Sequence, residues 1–303
     1  MSPKQVLRLL KQAFQEWNKD KASQLAAALA YYTLFSLAPL LILAIAIAGL
    51  FFDSVAVRDQ LMSQVESLVG GSGAEFVRTV LDNANRPGQS SGVVASIISI
   101  VLLLVGATGV LTQLQLALNT IWNLEARSDI GLMNMVRKRV LSLGMVMVIG
   151  FLLLVSLVVS SVISGFSAYL QSLAPGLDAV VQLINFVVAF GITTLLFAAL
   201  FKYLPDAVIS WRDVWFGAIA TAILFSIGKY LIGLYLGNSG FGSSYGAAGS
   251  VIILLIWVFY SAQIMFYGAE LTQVYSRRFG SPIQPNKYAV LSEPSAQERS
   301  NSV

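Results

Sequence analysis

Two ionisable side chains, Lys229 and Glu270, stand inside long apolar runs, and each invites a chemical role. Carrying a charge to mid-bilayer costs from about 2.5 to well over 10 kcal/mol, depending on the scale, so such a residue calls for a partner, a water path or a ligand. Lys229 offers a phosphate or carboxylate a point charge; alternatively its stem snorkels toward the nearer interface. Glu270 either lines a polar path or caps the rim of its helix against Arg277 or Arg278. Direct pairing of the two is not expected. On straight helices of opposite direction, Lys229 lies about 27 Å from the inner end of its helix and Glu270 about 7 Å from the inner end of its own.

Enzyme chemistry has few residues to draw on. Histidine and cysteine are absent, which removes the commonest general base, the commonest transition-metal ligand, thiolate chemistry and disulfides. Five of the 15 acidic residues (Asp53, Asp59, Glu66, Glu75 and Asp82) are spread along one connection. A nuclease centre would have to be built from Asp206 and Asp213 flanking Arg212; the competing reading of that trio is a short polar turn capping the next helix. No catalytic residue, metal site or cofactor is expected. Nucleic acid is not an expected partner either, because the basic residues are scattered over several short segments rather than gathered on one surface with aromatic platforms.

Three further features suit a path through a membrane as well as they suit ordinary packing. Tyr31, Tyr32 and Thr33 precede Pro39 in the first apolar run and read as a cavity lining or as an interface belt. Trp211 and Trp215 fit an aromatic belt. The stretch 236–250 (LGNSGFGSSYGAAGS) has five glycines, four serines and no charge. It lacks the Lys-Ser/Thr ending of a phosphate-cradling loop. It reads either as a close-packed turn or as a gate hinged at Gly240, Gly242 and Gly246. Ser96, Ser99, Thr108 and Thr112, near Gly106 and Gly109, mark a helix-packing face or a polar cavity.

The elements that must position these residues follow from composition. Charged residues are 11% of the chain, against about 25% in a soluble domain. Apolar residues are 56% and the mean hydropathy is +0.75. So few charges cannot cover a water-facing surface, and the fold class is all-α, a polytopic membrane protein. Six spans are predicted near 24–52, 92–113, 140–165, 180–203, 211–236 and 249–275, each long enough to cross the bilayer. The first is about 42 Å long at 1.5 Å per residue, and Pro39 is expected to kink it.

Fifteen of the 19 Lys and Arg residues fall on one side of this arrangement and three on the other, with Lys229 in a span. That bias places both termini in the cytoplasm. Segment 1–22 reads as a cytoplasmic amphipathic helix carrying Leu7, Leu10 and Phe14 on one side. Residues 23–280 form the six-helix membrane domain. Its outer loop, 53–91, reads as two short amphipathic interfacial helices separated by Gly70, Gly71 and Gly73. The polar tail 281–303, with Pro282, Pro285 and Pro294, is expected to be disordered.

The stretches 26–50 (AAALAYYTLFSLAPLLILAIAIAGL), 204–214 (LPDAVISWRDV) and 246–270 (GAAGSVIILLIWVFYSAQIMFYGAE) together resemble the YihY/BrkB family of bacterial inner-membrane proteins. The resemblance runs from about residue 10 to 280 and implies a six-helix bundle in the inner membrane. Members of that family have been labelled ribonuclease BN, linked to serum resistance, or proposed as transporters of lipids or lipopolysaccharide precursors. The ribonuclease label finds no support in these residues. The leading expectation is a transporter-like protein for an amphiphilic, anionic envelope molecule, with membrane lipids as partners. Lys229 would attract the head group, Tyr31 and Tyr32 would line the path, and the glycine-rich turn would open. The alternative is a membrane scaffold for envelope protein partners.

Overall fold

A computed structural model of the chain describes residues 2–49, 53–84, 109–127, 178–238 and 247–292. Helix α1 (Pro3–Lys19) starts where the Ser2 N–H donates to Gln5 Oε1 at 2.7 Å and proline occupies the first turn, which needs no donor there. It ends at an elbow, where Lys21 adopts a left-handed φ of 52°. Helix α2 (Ala22–Ala48) then continues through Pro39, which does not end it. Helix α3 (Ser54–Ala84) is capped by Asp53, whose Oδ1 accepts the N–H groups of Val55 and Ala56 at 3.0 Å each. Its helical path breaks at Gly70, with φ 77°, a conformation that costs glycine little. The two arms are thus divided at the first of the glycines singled out above.

The chain is helical again at 109–121 (α4), beyond the expected end near 113. Leu111, Leu114, Leu118 and Ile121 are all buried and recur at helical spacing, so packing extends the helix. Then come β1 (Leu124–Ala126), α5 (Asp178–Tyr203), β2 (Ala207–Val208), α6 (Trp211–Asn238), α7 (Ala247–Phe279), β3 (Gln284–Pro285) and β4 (Ala289–Leu291). Among the described residues, three helices are long and apolar enough to cross a membrane: Gln182–Tyr203, Trp211–Tyr235 and Ala248–Phe279. The expected span at 140–165 and most of that at 92–113 lie outside the described residues.

The tail departs from expectation. Residues 281–292 are ordered rather than disordered: β3 pairs antiparallel with β2, and β4 with β1. Asn286 N–H donates to Asp206 O at 2.9 Å, and Ser292 N–H to Asn123 O at 2.9 Å. The backbone groups of this polar segment find partners in two loops, and Tyr288 and Ala289 are buried beneath it. Residues 293–303 lie outside the described residues.

Helix α7 is the centre of the bundle, packing against α1, α2, α3 and α6. Its antiparallel seam with α6 depends on two glycines. A Cβ on Gly217 would lie 1.7 Å from Thr272 Oγ1, and one on Gly268 would lie 1.9 Å from Thr221 Oγ1. Each threonine donates to the glycine carbonyl four residues earlier in its own helix, both at 2.7 Å. The two Gly-x-x-x-Thr segments therefore pack reciprocally, threonine on glycine, and the backbones approach closely.

Candidate functional site

The end of the bundle that carries α1 and the C-terminal strands concentrates buried polarity. Helix α1 lies across α7 through Leu9 and Ala13, which meet Leu271, Val274 and Tyr275. The Tyr267 hydroxyl donates to Leu10 O at 3.0 Å, and Gln263 Nε2 donates to Ser23 Oγ at 2.8 Å. Arg277 Nη1 stands 3.6 Å from Glu16 Oε1, and Lys19 Nζ stands 3.9 Å from Glu16 Oε2. These contacts bring the elbow residue Asp20 against Glu270, with the two carboxyl groups within side-chain hydrogen-bonding reach of each other.

Glu270 is fully buried. No donor group among the described residues reaches either of its carboxylate oxygens, nor Asp20 Oδ2. Two carboxyl groups can hydrogen bond only through a proton carried by one of them. Burial pushes the Asp20 carboxyl up from 3.8 to about 6. The bond with Glu270 opposes the rise, Glu16 adds to it, and the charges of Lys19 and Arg277 again oppose it. Glu270 thus faces a second acid, and Arg277 engages Glu16.

Asp206, Arg212 and Asp213 do not converge. The Asp206 carboxylate accepts Asn119 Nδ2 at 3.1 Å while its own N–H donates to Asn119 Oδ1 at 2.9 Å. Asp213 is buried and accepts the Ser281 N–H at 3.1 Å. It occupies the space that a side chain at Gly280 would fill. Arg212 is exposed. Each aspartate holds a different part of the loop-and-tail layer, as a polar turn would. No three acidic groups gather as a metal site among the described residues.

Lys229 is exposed on α6 and opens on a groove of about 430 Å³ lined with Ser226, Tyr230, Gly233 and Leu234. The Ser226 hydroxyl already donates to Ala222 O at 2.8 Å. No acidic side chain pairs with Lys229 among the described residues. Gly228 abuts Ile264 and Tyr260 of α7, so Lys229 and Glu270 stand about 15 Å apart along the seam at 1.5 Å per residue. Tyr31 and Tyr32 are exposed on α2, beside Phe35, and do not line the groove. Pro39 is half-buried in the same helix. Gly240, Gly242 and Gly246 lie outside the described residues.

Sequence reasoning passed over Asp20 and Asn119. The signal for Asp20 was present: Glu16 and Asp20 lie four residues apart at the end of an amphipathic helix, just before an apolar run. Nothing comparable marks Asn119 within its helix.

Long apolar helices joined by tight, small-residue seams define a multi-helix membrane protein. The chain belongs to the Virulence factor BrkB family, whose pattern it matches over residues 13–290. A membrane protein of Alteromonas mediterranea is 31% identical over 256 residues, covering 84% of this chain and 83% of that protein. One from Pseudoalteromonas translucida is 29% identical over 265 residues, covering 84% and 81%. One from Teredinibacter turnerae is 28% identical over 261 residues, and this chain spans only 56% of its length. All three bear the name UPF0761 membrane protein. No solved structure matches the chain.

Proposed function

We propose that this protein binds and moves an amphiphilic anionic molecule of the cell envelope, such as a phospholipid or a lipopolysaccharide precursor. It would work in the bacterial inner membrane with both termini in the cytoplasm. One observation carries the reading: an exposed lysine with no acidic partner among the described residues opens on a groove in the stretch of α6 beyond Asp213, where it is the one charged side chain. An ammonium in that setting attracts a phosphate or carboxylate as a point charge. The Tyr230 hydroxyl supplies a second donor, and Leu234 offers an apolar wall beside Gly233, which has space around it. A hydrocarbon tail would follow α6 toward lipid.

The test is translocation of a fluorescent anionic phospholipid in liposomes holding the purified protein, with Lys229→Ala and Lys229→Arg alongside. A hydrogen bond to a charged group contributes about 1.5–3 kcal/mol, so the alanine variant should lose roughly tenfold or more in rate. The arginine variant should keep most of it. Equal rates for wild type and alanine variant, or no protein-dependent movement by folded protein, would sink the groove reading and leave the scaffold reading in its place.

A further inference from the structure

We propose that Glu270 and Asp20 together form a proton-binding site, and that the bound proton holds α1 against α7. The inference does not depend on what the Lys229 groove carries. Three carboxylate oxygens of this pair meet no donor among the described residues, and Glu270 is wholly enclosed. Two carboxylates at hydrogen-bond range cannot both ionise in a buried setting, and a single proton converts their repulsion into a bond.

Among the described residues, the cations that act on the pair, Lys19 and Arg277, are both shared with Glu16. From α1, Glu16 adds negative charge and Lys19 offsets part of it. From α7, Arg277 acts on both acids but lies 3.6 Å from Glu16, which draws on the same charge. Helix α2 and the stretch 109–121 of α4 contain no Asp, Glu, Lys or Arg, and the charged residues of α3 (Arg58, Asp59, Glu66, Glu75, Arg78 and Asp82) are not among the groups acting on either acid. From α6, Asp213 is turned to Ser281 instead. Gln273, one turn from Glu270, is buried with its Oε1 unpartnered and is not among the groups that act on either acid. The raised pKa of the Asp20 carboxyl, pushed up mainly by burial, agrees with this shortage.

The position of the pair gives the proton a mechanical effect. Asp20 sits in the elbow beside Lys21, whose left-handed φ turns α1 back onto the bundle. The docked face of α1 is small, built on Leu9 and Ala13. Its other side exposes Leu7 and Phe14 together with Lys4, Arg8 and Lys11. That side would rest on an anionic membrane surface once α1 lifts. Loss of the proton places two like charges across the elbow, and the arm is released.

Infrared spectroscopy and amide hydrogen exchange on the purified protein in lipid nanodiscs test this at a series of pH values. The expected result is a protonated-carboxyl band still present near neutral pH. As the band titrates away with rising pH, the protection factors of residues 3–19 should fall at least tenfold. Glu270→Gln should lack the titrating band and keep α1 protected throughout, because the introduced amide donates to Asp20. Leu9→Ala should loosen α1 at every pH yet retain the band, which separates docking from proton binding. A band unchanged in Glu270→Gln, or α1 protection that ignores pH, overturns the proposal. So does sodium ion that removes the band at constant pH while α1 stays protected, since the site would then hold a metal cation.

Discussion

Buried carboxylates in this chain meet three different fates. Asp206 exchanges two hydrogen bonds with Asn119, Asp213 accepts a backbone N–H, and Glu270 faces another acid. Asp206 exchanges bonds on both its backbone and its carboxylate and reads as a structural fastener, whereas Asp213 keeps Ser281 on Oδ2 and leaves Oδ1 without a partner among the described residues. The third leaves its partner Asp20 with a carboxyl raised from 3.8 to about 6. The folded chain binds a proton on Asp20, beyond the one the pair shares, more tightly than the unfolded chain does. The stability linked to it is fully present below the ordinary value of 3.8 and is lost as pH rises through about 6. Thermal unfolding in detergent on either side of pH 6 should show Tm falling with pH in wild type, and a flatter dependence in Asp20→Asn. Equal slopes would mean that Asp20 is ordinarily solvated. From sequence, Glu270 is recognisable as out of place, but the neighbours its position suggests are Arg277 and Arg278 rather than Asp20.

Helix packing turns on residues too small to announce themselves. Gly217 and Gly268 are ordinary glycines in apolar helices, where each costs about 1 kcal/mol relative to alanine unless something requires it. Here the threonines opposite require it, and both threonine hydroxyls are bonded to their own helices. Gly217→Ala should therefore lower stability by about 1–3 kcal/mol through overpacking. Adding Thr272→Ala should recover a large part of that loss. Detergent-titration unfolding of the single and double variants measures both; a double variant no better than the single one would place the strain elsewhere. The break in α3 was legible because a run of glycines between two apolar-periodic arms is a local signal. The strand pairs of the tail were not, since elements of two or three residues have no periodicity to read.

For the molecule as a whole, orientation in the membrane is the property most open to a direct test. The chain has no cysteine, so each introduced thiol reports alone. Asp59, Ser2 and Lys287 are exposed. In intact cells a membrane-impermeant maleimide should label Asp59→Cys, and should label Ser2→Cys and Lys287→Cys only after permeabilisation. The opposite pattern would overturn the proposed orientation and place the α1 elbow at the outer face.

Membrane class, the helices among the described residues and the break in α3 at its glycines are readable from residue order. They depend on composition and on neighbours a few positions apart, and a helix satisfies its backbone within its own segment. The meeting of Glu270 with Asp20, the Asn119–Asp206 exchange, the threonine-on-glycine seam and the ordered tail belong to tertiary structure. Each joins groups remote in the chain, and which apolar face turns toward which neighbour is settled by packing among helices of nearly uniform hydropathy. Such helices carry little amphipathic signal, so the sequence pattern leaves their facing undetermined.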